Sequence, residues 1–371
     1  DMTDMGFLPR AQFNLLLDAL AAAGYRVIGP RLRDGVIVYD ALTGPDDLPR
    51  GVHDLQSPGR YRAEKDPSGN RCFAWANGPQ AIKPRMFAPR ELLWRSDKGG
   101  DADVRYSQLP PDAPALAIIG ARACDLAALR LQDRHFLEQQ FQAPHYAARR
   151  AQLFIVAVHC THPAATCFCA STGDGPRAED GYDLALSELD EGYLIQTRGD
   201  KGRAIAALLP LMPATPVQRA QARAETDAAA AQQTRRLPGG SLRDRLLASL
   251  EHRRWEDVAT RCLACGNCTS VCPTCFCSDA VDEASLQGDV SVHVRQWGSC
   301  FTQSHSYIHG ITIRPDTRTR YRQWLIHKLG TWHDQYGRSG CVGCGRCITW
   351  CPTGIDITEE ASALCDGTQH D

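Results

Sequence analysis

One spacing of cysteines occurs twice in this chain, and it limits what the C-terminal third can be. The first copy is Cys262-x2-Cys265-x2-Cys268-x3-Cys272-Pro273 and the second is Cys341-x2-Cys344-x2-Cys347-x3-Cys351-Pro352. Both share a Cys-Gly step, at Cys265-Gly266 and Cys344-Gly345. Two-residue gaps let a chain wrap three corners of an iron–sulfur cubane, whose irons want soft thiolates. The longer gap and the proline turn the chain away, so the fourth thiolate of each copy is aimed at the other cluster. The spacing therefore predicts two [4Fe–4S] clusters of bacterial ferredoxin type. Cluster one takes Cys262, Cys265, Cys268 and Cys351, and cluster two takes Cys341, Cys344, Cys347 and Cys272. Structural zinc usually uses two short knuckles separated by a longer loop rather than four cysteines in a row of eleven residues. Disulfides are a poorer match to a chain expected in a reducing compartment.

Composition narrows the rest. The chain has 371 residues, enough for two domains. Lys plus Arg is 41 and Asp plus Glu is 43, a net charge of −2, so no basic field for nucleic acid is expected. No run approaches the length of a transmembrane helix. The start, Asp1-Met2-Thr3-Asp4-Met5-Gly6, lacks the pattern of a secretory leader, and a cytoplasmic protein is expected. Neither G-x-G-x-x-G after a strand, nor a P-loop, nor a G-x-S-x-G elbow occurs, so no dinucleotide, ATP or serine-nucleophile site, and no independent active site, is expected here.

The fold expected is α+β: an N-terminal mixed α/β domain over residues 1–213, a helical linker over 214–241, and an α-helical dicluster ferredoxin domain over 242–371. Phe13, Leu16, Leu17, Leu20 and Ala21 have helical spacing, with Gly24 as a stop. Tyr25–Pro30 and Gly35–Tyr39 flank a turn at Asp34-Gly35. Only short strands are expected in 43–112. Ala115–Gly120, then a helix from Cys124 to Leu137, then Leu153–Val158 read as one βαβ crossover, followed by a strand pair at 182–189 and 193–197. Thr215-Pro216-Val217-Gln218 is a capping box opening an Ala-rich linker or surface helix, which Pro238-Gly239-Gly240 ends. The 68 residues from Pro273 to Cys341 are expected to be filled by helices, including one through Tyr321, Trp324, Leu325, Leu329, Trp332 and Tyr336. Five of the seven tryptophans follow residue 250, which suits a compact, water-excluding surround for the thiols.

Cysteine is frequent outside the repeats as well, with 17 in all. Cys124 and Cys160 fall at the ends of two expected parallel strands, at the sheet edge where α/β proteins usually bind ligands. Cys167 and Cys169 follow closely. Cys124, Cys160, Cys167 and Cys169 are thus candidates for a third [4Fe–4S] cluster, the alternative being buried thiols that behave as small hydrophobes. Cys275, Cys277 and Cys300 could serve such a site instead, or pack beside cluster one. Cys72 and Cys365 lie apart from these groups in the sequence. His305 and His309, spaced i, i+4, lack a third ligand, and His159 and His162 flank Cys160. Arg314, Arg318, Arg320, Arg322, Lys328 and Arg346 either offset cluster charge, dock an acidic partner, or form a solvated face.

Longer stretches extend the match beyond the repeats. They are Gly120-Ala121-Arg122-Ala123-Cys124-Asp125-Leu126, Cys160 through Gly173-Asp174-Gly175-Pro176, Gly181-Tyr182-Asp183-Leu184-Ala185-Leu186, Cys272–Cys277, Trp297-Gly298-Ser299-Cys300, and Arg320-Tyr321-Arg322-Gln323-Trp324 with His327-Lys328. On these the chain resembles the β subunit of cytoplasmic NAD(P)-linked [NiFe] hydrogenases, or sulfhydrogenases. It is similar also to the electron-passing subunit of anaerobic sulfite reductase. The first resemblance implies an electron-transfer subunit of an oxidoreductase complex, relaying electrons between hydrogenase small and large subunits and a flavin subunit that binds NAD(P). The second implies a sirohaem partner. A third reading, from the residues alone, is a structural iron–sulfur protein whose clusters only stabilise the fold.

Overall fold

The computed structural model describes residues 5–80, 82–99 and 103–366. The first four residues, which belong to the stretch read for a leader, lie outside that range. An eight-stranded mixed sheet dominates the N-terminal part. Its strands run in the order Met212–Pro213, Met5–Pro9, Gly192–Thr197, Leu184–Glu188, Leu153–Val158, Leu116–Ala121, Arg26–Arg33 and Val36–Ala41. Leu116–Ala121 and Leu153–Val158 pair in parallel, and every residue of both is buried. Continuous apolar runs of this kind belong to strands covered on both faces. The helices Ala123–Phe136 and Pro144–Ala151 make the crossover between them. Phe13–Ala22 is a helix that buries Phe13, Leu16, Leu17 and Leu20 against the sheet core, each burial stabilising by roughly 1.5–3 kcal/mol. The hairpin turn falls at Asp34-Gly35, as its sequence requires, with both residues at positive φ.

Helix Pro216–Ala231 opens with the expected capping box: Gln218 N donates to Thr215 Oγ1 and Thr215 N to Gln218 Oε1. The segment after this helix is anchored rather than free. Arg235 Nε donates to buried Asp356 at 2.6 Å, and Gln233 is buried against Ala170 and Cys169.

The segment between the cysteine repeats is not wholly helical, in contrast to the expectation. Ser278–Ala284 and Val290–Trp297 form a hairpin that joins Arg90–Lys98 and Val104–Gln108 in a second sheet of four strands. That sheet pairs residues about 200 positions apart, Val294 with Leu92 for example. It also gives the 43–112 stretch longer strands than expected. The physical reason lies in the pattern. Val290-Ser291-Val292-His293-Val294-Arg295 alternates with period two, the signature of a strand with one packed face. A short hairpin, Tyr307–Ile308 with Ile311–Thr312, follows, and then helices: Thr317–Ile326, a π-helical turn His327–Thr331 and Trp332–Tyr336, closed by Gly337 at φ 70°.

The two parts are knit together where the cysteines lie. Tyr61, on a hairpin of the N-terminal part, stacks on Trp350 with centroids 5.1 Å apart. Phe168 N donates to Gly343 O at 2.8 Å and Asn77 Nδ2 to Cys344 O at 3.0 Å. Arg338 grips buried Asp174 with two bonds of 2.8 and 2.6 Å. Among the described residues no helix is long and apolar enough to cross a membrane.

Candidate metal centres

The first repeat leaves the Arg254–Arg261 helix at Cys262 and re-enters a short helical turn at Asn267–Ser270. Ala264 and Gly266, both at positive φ, fold the intervening loop back on itself. The result is a cavity lined by Cys262, Cys265, Cys268, Cys351 and Cys347, with Phe301, Tyr321, Trp324, Ile355 and Ile357 as its apolar wall. Cys351, the fourth thiol of the other repeat, thus joins the three expected from this one. Burial pushes the Cys262 thiol up, and the Cys351 and Cys265 charges add to it. Cys268 is raised by burial and by Cys300, Cys262, Cys351 and Cys265. The cavity reaches the surface: Cys265 is exposed and Leu263 is 65% exposed. Buried Glu360 holds this side of the structure, taking bonds from Arg254 at 2.6 and 3.0 Å and from Arg261 at 2.6 Å.

The second repeat is folded the same way, with Gly343 and Gly345 at positive φ and a short turn at Arg346–Thr349. Its cavity is lined by Cys341, Cys344, Cys347 and Cys272, together with Phe168, Trp324, Val342 and Ile357. Cys272 has crossed over from the first repeat. Burial and the charges of Cys344 and Cys272 push the Cys341 thiol up to about 12, against the opposing hydrogen bond from Gly343. Cys347 lines both cavities, so the two cages share a wall.

Cations gather at the second cage. Lys328 sits on the π-helical turn, a distortion common at functional sites, and is 4% exposed. Its Nζ lies 3.6 Å from Cys272 Sγ, 3.2 Å from Cys275 Sγ and 2.8 Å from Thr274 Oγ1. Burial works against its charge, but Cys272 and Cys275 outweigh that and hold it protonated. A hydrogen bond from Cys275 favours the Cys272 thiolate. Lys83 donates to the carbonyls of Thr269, Ser270 and Cys272. Arg346, 1% exposed, pairs with buried Asp125 at 2.8 Å.

These thiols suit a cluster better than an ion. A zinc site draws four sulfurs to about 2.3 Å of one point. Among the described residues no three Cys, His, Asp or Glu side chains converge in that way. The thiols instead surround cavities, near enough to raise one another's pKa. The donor set is all sulfur, which suits the soft irons of a [4Fe–4S] cluster. Raised thiol pKa values also mean that loading iron must release protons.

The other expected candidates sort clearly. Cys124, Cys160, Cys167 and Cys169 are all buried; Cys124 and Cys169 pack in one cluster with Cys344, and Cys167 Sγ lies 3.8 Å from Cys344 O. Cys275 joins Cys272 and Lys328 beside the second cage, while Cys277 neighbours Cys300. Cys72 is buried beside Glu188 and Tyr193. Cys365 is buried in the last helix. His305 and His309 share no helix face, because His309 sits in a hairpin turn at φ 48°. His159 is buried and its pKa lowered to about 4 by desolvation. Of the arginines expected near the second repeat, Arg320 is used up on the carbonyls of Arg314, Phe301 and Pro315, and Arg322 on Leu250 and Glu251. Arg122 belongs to the Gly120–Leu126 stretch that carries the resemblance, but nothing in the sequence marks it for burial. A buried arginine becomes visible as such only when the fold places it.

Comparison with known proteins agrees with this geometry. Residues 261–355 match a family described as a 4Fe-4S dicluster domain. The chain is 31% identical over 297 residues to sulfhydrogenase 2 subunit beta of Pyrococcus furiosus, covering 77% of this chain and 84% of the relative. No solved structure matches.

Proposed function

The chain belongs to the family of sulfhydrogenase β subunits, and from that premise we propose that it is the electron-transfer subunit of a [NiFe] hydrogenase complex. In this reading it works in the cytoplasm and relays electrons between the hydrogenase small and large subunits and a flavin subunit that binds NAD(P). Cys262, Cys265, Cys268 and Cys351 hold one [4Fe–4S] cluster, and Cys341, Cys344, Cys347 and Cys272 the other. The observation that carries the proposal is the exchange of fourth thiols, Cys351 into the first cavity and Cys272 into the second. It brings the two cages against one shared wall at Cys347, the arrangement a relay needs.

When bound, each cluster supplies one-electron chemistry whose potential depends on charge, hydrogen bonds and solvent around its sulfurs. The rest is the chain's work. Phe301, Tyr321, Trp324, Ile355 and Ile357 keep water from the first cage. Lys328 offsets negative charge at Cys272, and Arg346 does so beside Cys344. Cys265 and Leu263 present the first cage to the surface, where a partner's redox centre can approach.

The test is a pull-down of the full chain under anaerobic conditions, followed by metal and cofactor analysis of what is retained. A nickel-containing partner and a flavin support the proposal. A sirohaem partner assigns the relay to sulfite reduction instead. Clusters that resist reduction by dithionite and by every retained partner would leave them a structural role only.

A further inference from the structure

Four thiols outside the repeats form a group of their own. Cys124 opens the helix that follows Leu116–Ala121, and Cys160 follows the adjacent parallel strand Leu153–Val158, so the sheet delivers both to one edge. Cys167 and Cys169 come from the loop after that strand. The four are between 5% and 9% exposed. Cys124 and Cys169 pack in one buried cluster, Cys167 lies two residues before Cys169, and Cys160 N donates to Pro176 O at 3.1 Å, next to Gly175, which abuts Cys169 Sγ and Ala123. No three of them converge on a point as a single metal ion would need.

A second observation points to an anion among them. Arg122 is 1% exposed. Its Nη2 donates to the carbonyls of Phe73 and Trp75 at 2.9 and 2.6 Å, and its guanidinium lies 4.1 Å from the Trp75 ring. Its Nε and Nη1 are buried with no hydrogen-bond partner among the described residues. A guanidinium cannot shed its proton, and a buried one with open donors calls for an acceptor. Arg122 stands two residues before Cys124, at the start of the helix that Cys124 opens, and its backbone N donates to Asp125 Oδ2 at 3.2 Å. Gln233 adds a further donor, its Nε2 lying 3.4 Å from Cys169 Sγ. The space is tight where a thiol needs it: a Cβ on Gly175 would fall 2.9 Å from Cys169 Sγ.

We propose that Cys124, Cys160, Cys167 and Cys169 hold a third [4Fe–4S] cluster, with Arg122 donating to its sulfurs. The proposal rests on the relay reading above and extends it. Gly343 and Gly345 of the second repeat press on the backbone of Phe168–Cys169 and Thr166, and Cys167 Sγ lies 3.8 Å from Cys344 O. The third site therefore adjoins cluster two. It continues the wire away from the exposed first cage into the N-terminal part. An electron lost by cluster two is one gained here, with no bond made or broken and no proton required.

The experiment uses the full chain, prepared anaerobically with its native clusters. Iron and acid-labile sulfide per chain should each be about twelve, since each cubane holds four. Cys167→Ser should remove or convert one cluster and leave the signals of the two ferredoxin-type clusters in place. Cys160→Ser should do the same. If either variant fails to fold, the iron count of the native chain decides alone. About eight irons, with both ferredoxin-type signals present, would overturn the third cluster and leave the relay standing. Zinc or far fewer irons would sink both, so the two failures read apart.

Discussion

The two cysteine repeats are nearly superimposable as text, yet their surroundings differ in the way that matters to a redox centre. The first cage is walled by aromatic and aliphatic side chains and opens to solvent at Cys265 and Leu263. The second has Cys344 buried, with Lys328 at its sulfurs, Arg346 beside it and Lys83 on the carbonyl of Cys272. Identical ligands fix which cluster binds. The neighbouring charge and the access of water set the potential. On the proposed relay the first cage is expected to be the port and the second the interior step, with the nearby cations raising the potential of the second.

The contrast can be broken at several points. The largest effect is expected from Cys344→Ala, which removes or converts cluster two. Turnover with the natural acceptor should fall by at least tenfold, about 1.4 kcal/mol in a barrier, while dye assays that bypass this subunit stay largely intact. Unchanged natural turnover with the cluster signal gone would contradict the relay. Next is Asp125→Ala, which leaves the Arg346 guanidinium buried without its carboxylate. Such losses cost about 3–5 kcal/mol, and chemical denaturation should show it. Lys328→Met should lower the potential of cluster two alone, by on the order of 60 mV, the one-electron equivalent of tenfold. Equal shifts at both clusters would erase the distinction drawn here.

Smaller effects come from the rim. His135 stacks on Phe276, between Cys275 and Cys277, at a centroid distance of 3.5 Å. Desolvation lowers its pKa to about 4, so the folded protein keeps it neutral. The unfolded chain takes up a proton below about pH 6.5. Stability should therefore fall as pH drops from about 6.5 toward 4. The His135 share of the loss should be about 1 kcal/mol after allowing for partial exposure; His135→Phe should remove that share and leave the one due to buried His159. Smallest of all, Leu263→Glu on the exposed rim of the first cage should change stability by under about 0.5 kcal/mol. It should weaken partner binding or slow electron entry, as measured by reduction kinetics with the partner. A stronger effect on cluster two than on cluster one would place the port elsewhere.

Much of the fold is legible in the sequence, because local signals and structure coincide. Period 3.6 at Phe13–Leu20, Asp34-Gly35 at a hairpin turn, two buried apolar strands and the Thr215–Gln218 box all stand as read. Spacing alone predicts how the cysteines pair into two cages, and the four thiols of each expected set line one cavity. Long-range pairing is not legible. Val290–Trp297 joins Arg90–Lys98 across about 200 residues, and nothing in either strand names its partner. The cations are harder still. Lys328 reads as one of several basic residues on a helix, and only the π-helical turn brings its Nζ to sulfur. Arg122 belongs to the Gly120–Leu126 stretch that carries the resemblance, but its burial shows only in the fold.

The central claim is that paired thiol cages hold two [4Fe–4S] clusters that accept electrons at different potentials. A potentiometric titration of the full chain under anaerobic conditions, followed by EPR, tests it directly. Separate reduced-cluster signals are expected for the two cages, the one lost in Cys344→Ala appearing at the higher potential. An EPR-silent protein with zinc on these sulfurs would contradict it.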